Sequence, residues 1–155
     1  MSENFPATLR MLLRSPPRGA AIVEFALVLP LLILLMVGLF DLGFGAYQTM
    51  QVHAAAEAGA QYAVRHAWNA AAIATAVTSA TGSGGIAASP APSQVCGCPD
   101  GGVFTPLPSC NTCPSGSPAG VYASVSAQLT YSPVLPYPGL PDPLTLTGQA
   151  YRRLN

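Results

Sequence analysis

A run of 21 residues from Ala20 to Phe40 is apolar apart from one glutamate, and it decides which folds are open to this chain. As an α-helix rising about 1.5 Å per residue, the run is about 31 Å long, close to the roughly 30 Å hydrocarbon core of a bilayer. A cleavable secretory signal has an apolar centre of only about 7 to 15 residues, which disfavours removal at Phe44-Gly45-Ala46. The run therefore predicts a helix that crosses a membrane and stays there.

The charged residues predict the orientation of this helix. Arg10, Arg14 and Arg18 precede the run and no basic residue follows it closely, so the positive-inside rule places the N-terminus in the cytoplasm. Residues 1–19 then form a cytoplasmic leader, residues 20–41 form the transmembrane helix, and the rest is exported. Beyond the leader, five acids stand against three arginines. This balance lacks the clustered basic face on which nucleic-acid binding depends.

Glu24 is the one ionisable residue inside the run. An ionised carboxylate in hydrocarbon costs on the order of a few kcal/mol and usually marks a functional site or a buried partner. The simpler interpretation is an interfacial residue whose carboxylate extends toward water, because Glu24 lies near the start of the span.

The residues around this glutamate carry a family resemblance. The stretch RGAAIVEFALVLPLL resembles the processing site of type IV pilin-like precursors and is very similar to the TadE family of minor pilins. The resemblance implies that a prepilin peptidase cuts the chain after Gly19, on the cytoplasmic face, so that Ala20 becomes the N-terminus and Glu24 the fifth mature residue. Phe25 stands where the major pilins of these systems have tyrosine, which is consistent with a minor subunit.

Cleavage before Ala20 creates a new cation at the membrane face, because an α-amino group has a pKa near 8. A neighbouring helix offset along the axis would bring its amine to Glu24, and a low dielectric favours both charged forms in such a pair. We therefore expect Glu24 and Phe25 to act in assembly, with other pilin subunits contacting the transmembrane helix.

The helix is expected to continue beyond the membrane over residues 42–68, which lack proline and are rich in alanine. Small residues at every fourth position predict a face that another helix or a sheet approaches closely. They are Ala55, Gly59 and Ala63. A polar strip with the same spacing is interpreted as a solvated face with mutual hydrogen bonds rather than half of a metal site. It consists of His53, Glu57, Gln61 and Arg65.

The remainder, residues 69–155, predicts a small exported head. A short second helix is expected from an Asn69 N-cap to Gly82. Two runs of alternating apolar residues, 121–131 and 144–151, predict antiparallel strands, and a third strand is expected near residues 94–96. The fold class is therefore an α+β membrane protein with a long N-terminal transmembrane helix extended into the periplasm, a short second helix and a small antiparallel sheet of about three strands.

Residues 132–143 separate the two predicted strands and contain five prolines. This composition predicts an extended, polyproline-like arm rather than a tight turn. The arm is either a docking segment for a partner or a rigid loop that lies across its own domain.

All four cysteines lie in one loop, residues 96–113. They are Cys96, Cys98, Cys110 and Cys113. The spacing admits tetrahedral zinc, but export to an oxidising compartment favours two disulfides. Three pairings are open, and because a bond within Cys96-Gly97-Cys98 would be strained, links from that pair to Cys110 and Cys113 are favoured.

Three functions compete. The favoured one is a minor pilin or pseudopilin of a Tad-type pilus used for adhesion or secretion, held in the bacterial inner membrane, with a prepilin peptidase and other pilins as partners. The alternative is an unprocessed, membrane-anchored periplasmic binding module of an envelope complex. An enzyme is disfavoured because no catalytic arrangement, cofactor motif or small-molecule site is evident, so we expect no catalytic residue, metal or cofactor.

Overall fold

The computed structural model describes residues 19–100, 103–135, 139 and 141–154. Residues 1–18 of the predicted leader lie outside the described part. The chain divides into two compact units, Met1–Phe40 and Asp41–Asn155. The elements in chain order are α1 (Ala20–Arg65), α2 (Ala70–Ser79), β1 (Ser93–Asp100), β2 (Val103–Leu107), β3 (Gly120–Tyr131) and β4 (Leu144–Arg153).

Helix α1 ends at Arg65, three residues before the predicted end at Trp68. The difference follows from the cap of the next helix. Asn69 has extended backbone angles (φ −148°, ψ 104°), and its side chain accepts hydrogen bonds from the N–H groups of Ala71 and Ala72, both at 3.1 Å. An N-cap residue is non-helical, so α1 has to stop before it. The cap confirms the predicted start of α2, although α2 itself ends at Ser79 rather than at Gly82.

The sheet has four antiparallel strands in the order β2-β1-β3-β4. Strands β1, β3 and β4 are the predicted ones, and β3 pairs with β4 from Tyr122↔Arg153 to Tyr131↔Leu144. The fourth strand, β2, corrects the expectation of about three. Its sequence includes Pro106, which speaks against a central strand, but β2 lies at the edge of the sheet, where a missing N–H is tolerated.

The core lies between the two helices and one face of the sheet. The predicted small-residue face of α1 is confirmed, since Ala55, Gly59 and Ala63 are all buried. A Cβ at Gly59 would collide with Val77 of α2 and come within 3.0 Å of Cγ1 of Val125 on β3. The absence of side-chain bulk on α1 therefore allows both α2 and the sheet to pack directly on its backbone.

The other face of the sheet is less exposed than the alternation predicted. In the alternating run 121–131, Val121 belongs to the set predicted for the buried face and Tyr122 to the set predicted for the solvated face. Tyr122 is nevertheless only 8% exposed, whereas Val121 is 39% exposed. The cause is β2, which places the ring of Phe104 over this face with its centroid 4.8 Å from that of Tyr122. A Cβ at Gly97 of β1 would collide with the Phe104 ring, so glycine at this position leaves space for it.

Candidate assembly interface

The predicted processing residues lie at the first turn of α1. Gly19 is exposed and precedes the helix, and its carbonyl accepts a hydrogen bond from the N–H of Val23 at 3.2 Å. Ala20 is the first helical residue. Glu24 and Phe25 follow on the surface of the helix, with Phe25 60% exposed. The motif is thus a turn followed directly by an exposed helical segment.

The helix beyond this motif presents apolar side chains on all sides. Every large apolar residue from Ile22 to Met36 is exposed within its own unit, although such residues normally form a core. Among the described residues, α1 is the one helix long and apolar enough to cross a membrane. A helix that is apolar all round is suited to a lipid surrounding, and we describe it as the membrane anchor.

Asp41 begins the second unit, and its carboxylate is buried, with 3% of the residue exposed. Its oxygens accept hydrogen bonds from the backbone N–H of Val134 at 3.1 Å and of Leu135 at 3.2 Å. The hydroxyl of Tyr131 donates to the Asp41 carbonyl at 3.3 Å and to Oδ1 at 3.4 Å. This arrangement, the Asp41 clamp, joins the start of the proline-rich arm to α1, and the sequence analysis did not identify it.

An apolar cavity of about 290 Å³ lies beside the clamp. One wall is the stretch of α1 from Asp41 to Thr49, and the other consists of residues at the two ends of the arm. The arm side is formed by Tyr131, Pro133, Pro141, Leu144 and Leu146. The described part of the arm therefore packs against the helix of its own domain at both ends.

The segment predicted as a cysteine loop contains the end of β1, with Cys96 and Cys98, and all of β2. Its two disulfides are Cys96–Cys110 and Cys98–Cys113, with Cα–Cα distances of 5.0 and 5.8 Å. Both bonds join the first pair of cysteines to the second, as the spacing favours. Cys98 and Cys113 are buried, whereas Cys110 is exposed. With all four sulfurs in disulfides, the loop has no thiolate to offer a zinc ion.

The polar strip of α1 carries an ion pair with the sheet. Glu57 pairs with Arg152 of β4, and Gln61 donates a second hydrogen bond to the same carboxylate oxygen at 3.4 Å. The hydrogen bond from Arg152 lowers the pKa of the Glu57 carboxyl below its ordinary value of 4.5, and it outweighs the opposing effect of partial burial. The sequence analysis placed Glu57 on a solvated face but did not anticipate its partner 95 residues away.

Neither histidine belongs to a cluster of ligating residues within the described part of the chain. His53 is exposed, and His66 stacks on Tyr62 with ring centroids 4.1 Å apart. The described residues contain no group of three His, Cys, Asp or Glu side chains placed to hold a metal ion.

Comparison with known proteins gives a family match. The family model described as TadE-like protein matches residues 19–61, which include the turn at Gly19, the apolar segment and most of the helical extension. No curated protein and no solved structure matches the chain. The match includes the residues around Gly19 and Glu24 that carry the resemblance in the sequence. It relates the chain to Tad pilus machinery.

Proposed function

We propose that this chain, whose residues 19–61 match the TadE-like family model, is a minor pilin, or pseudopilin, of a Tad-type pilus. In this proposal a prepilin peptidase removes residues 1–19, the helix from Ala20 anchors the subunit in the inner membrane, and the head lies in the periplasm. The processed subunit joins the pilus or primes its assembly, and this role requires no active site.

The observation that carries the proposal is the combination of an exposed turn at Gly19 with the helix that starts at the next residue. A peptidase that cuts after Gly19 would remove no residue of α1. It would leave a charged amine on Ala20, one helical turn from Glu24. The amine of one subunit and the carboxylate of the next are then complementary charges in a low dielectric, where their attraction is much stronger than in water.

Processing is tested by co-expression of the full chain with a prepilin peptidase and measurement of intact mass. We expect the wild-type chain to lose residues 1–19 and the Gly19→Leu variant to keep them. Gly43→Leu is the matched control, because Gly43 also lies on an open part of α1, where a Cβ meets no neighbouring atom within 4 Å. A chain isolated from its native host with its initiating methionine and leader arginines intact contradicts the proposal.

The alternative is a membrane-anchored binding module that keeps its leader. The exposed residues 108–112, which follow β2 and include the disulfide-bonded Cys110, favour it, because a constrained, solvent-facing loop suits recognition of another envelope protein. The same mass measurement separates the two functions, since only the pilin begins at Ala20.

A further inference from the structure

Charged side chains are scarce in the exported part of the chain, so the unpaired ones are informative. Asp41 is buried in its clamp and Glu57 is paired with Arg152. Among the side chains that the structure describes in this part, Arg65, Arg153 and Asp142 are exposed and form no ion pair. Asp142 is the one anion of the three, and of the two cations only Arg65 lines a cavity with an apolar wall.

Arg65 lies in a groove at the C-terminal end of α1. A cavity of about 360 Å³ is lined by Gln61, Val64, Arg65 and Arg152. A second cavity of about 220 Å³ shares Val64 and extends the groove to Trp68 and Leu154. Val64 is 40% exposed although it is apolar. This Arg65 groove thus combines a guanidinium without an acidic partner and an apolar wall that contains the only tryptophan of the chain.

Asp142 lies at the opposite end of the exported helix. It is flanked by Pro141 and Pro143, both exposed, and Pro141 lines the cavity beside the Asp41 clamp. That cavity spans α1 from Asp41 to Thr49, so Arg65 lies 16 to 24 residues further along the helix. At about 1.5 Å per residue, this is a separation of about 24 to 36 Å.

We propose that the Pro141–Pro143 segment of one copy binds in the Arg65 groove of a second copy. The Asp142 carboxylate would accept hydrogen bonds from the Arg65 guanidinium, whose planar fork suits a carboxylate. The flanking prolines would pack on Val64 and Trp68. The segment is acidic and the groove is basic, so charge complementarity selects this occupant.

The contact joins two different surfaces, so it is heterologous rather than a symmetric dimer interface. The two surfaces lie at opposite ends of the exported helix, and a contact of this kind repeats from copy to copy without closing on a pair. The inference concerns the exported unit alone and does not depend on cleavage at Gly19. Failure of this inference and failure of the proposed function can therefore be distinguished.

The test uses the full chain in membranes with the photoreactive residue p-benzoylphenylalanine replacing Val64. We expect a cross-linked product of two copies in which the attached peptide contains Asp142. Arg65→Glu and Asp142→Arg should each lower its yield about 5-fold, which corresponds to the roughly 1 kcal/mol of an exposed ion pair. The combined charge exchange, Arg65→Glu with Asp142→Arg, should restore the yield.

Arg153→Glu is the matched control and should leave the yield unchanged, because Arg153 is exposed but does not line the groove. Gly19→Leu should also leave the yield unchanged, which separates this contact from processing. Cross-links that map to another protein or to another segment of the second copy, or a charge exchange that fails to restore the product, overturn the proposal.

Discussion

Asp41 is the last residue that the sequence analysis assigned to the membrane span, yet its carboxylate is engaged by the head. It accepts hydrogen bonds from two backbone N–H groups of the arm, those of Val134 and Leu135. A carboxylate with two oxygens can accept several hydrogen bonds at once. The residue therefore acts as a fixed attachment point for the start of the arm.

Replacement of Asp41 should release the arm. We expect Asp41→Leu to lower the free energy of unfolding by about 1 to 3 kcal/mol, the size of the contribution of hydrogen bonds to a charged group. Asp41→Asn keeps one acceptor oxygen and should lower it less. Hydrogen exchange at Val134 and Leu135 should become faster in both variants. Asp142→Asn, an exposed acid on the same arm, is the control, and equal exchange rates in all four proteins would show that the clamp does not hold the arm.

Gly148 of β4 lies where the strand packs closely on the backbone of α1. A Cβ at this position would lie 3.0 Å from the N and Cα atoms of His53 and from the carbonyl carbon of Val52. These are backbone atoms of α1, which cannot move aside as the end of a side chain can. We expect Gly148→Val to lower the free energy of unfolding by about 1 to 3 kcal/mol.

The measurement is denaturant unfolding of the full chain in detergent micelles, followed by the fluorescence of Trp68, the only tryptophan and a residue packed against the core. Gly82→Val is the control, because a Cβ at Gly82 meets no described atom within 4 Å. Equal stability of the two valine variants would mean that the helix and β4 are not in close contact at Gly148.

At the scale of elements, α1 and β4 are joined by the Glu57–Arg152 ion pair, and this pair should make stability depend on pH. The pKa of Glu57 is lower in the folded chain than in the unfolded chain, so the pair stabilises the fold at pH values above the ordinary pKa. The contribution is lost as the pH falls through the lowered value. Because both side chains are partly exposed, it should not exceed about 1 kcal/mol.

The comparison that isolates this effect is wild type against Glu57→Gln, with unfolding measured from pH 7 down to pH 3. We expect the wild-type advantage to be largest near neutral pH and to disappear in acid. Arg152→Gln should give the same profile, since it removes the other partner. An advantage that is constant over this range would mean that the charge of Glu57 does not contribute.

The sequence predicted those elements that are determined by residues close together in the chain, and it did not predict features that depend on distant residues. The alanine-rich helix, the Asn69 cap and the existence of strand β3 are determined by neighbouring residues, and the structure confirms all three. Strand β2 was not predicted because it contains Pro106. A proline is compatible with a strand at the edge of a sheet, but the sequence alone does not show that β2 lies there. The burial of Tyr122 depends on Phe104 of that same strand.

The candidate interface could likewise be predicted only in part. Its motif at Gly19 and Glu24 is contiguous and could be recognised from the sequence. The contacts of Asp41 with Val134 and of Glu57 with Arg152 join residues 93 and 95 positions apart. A single sequence contains no local pattern that relates positions so far apart, so these contacts required the fold.

At the scale of the whole molecule, the proposed function makes the Glu24 carboxylate in the membrane-spanning helix responsible for the association of subunits. We expect Glu24→Gln to insert into the membrane and to be processed as wild type, because the variant keeps the apolar helix and the turn at Gly19. Co-purification with other pilins should fall, because the neutral side chain no longer attracts the amine of a neighbouring subunit. Glu57→Gln is the control for loss of a carboxylate elsewhere on α1. Wild-type insertion, processing and co-purification of Glu24→Gln would together show that Glu24 has no role in assembly.

Pro106, at the edge of the sheet, affects how copies of the head can associate. An unprotected outer strand is a template on which further chains can add and aggregate. Pro106 provides no N–H for such an addition, so strand-by-strand aggregation is discouraged at β2. This protection applies to one side of the sheet only, because β4, which contains no proline, forms the opposite edge.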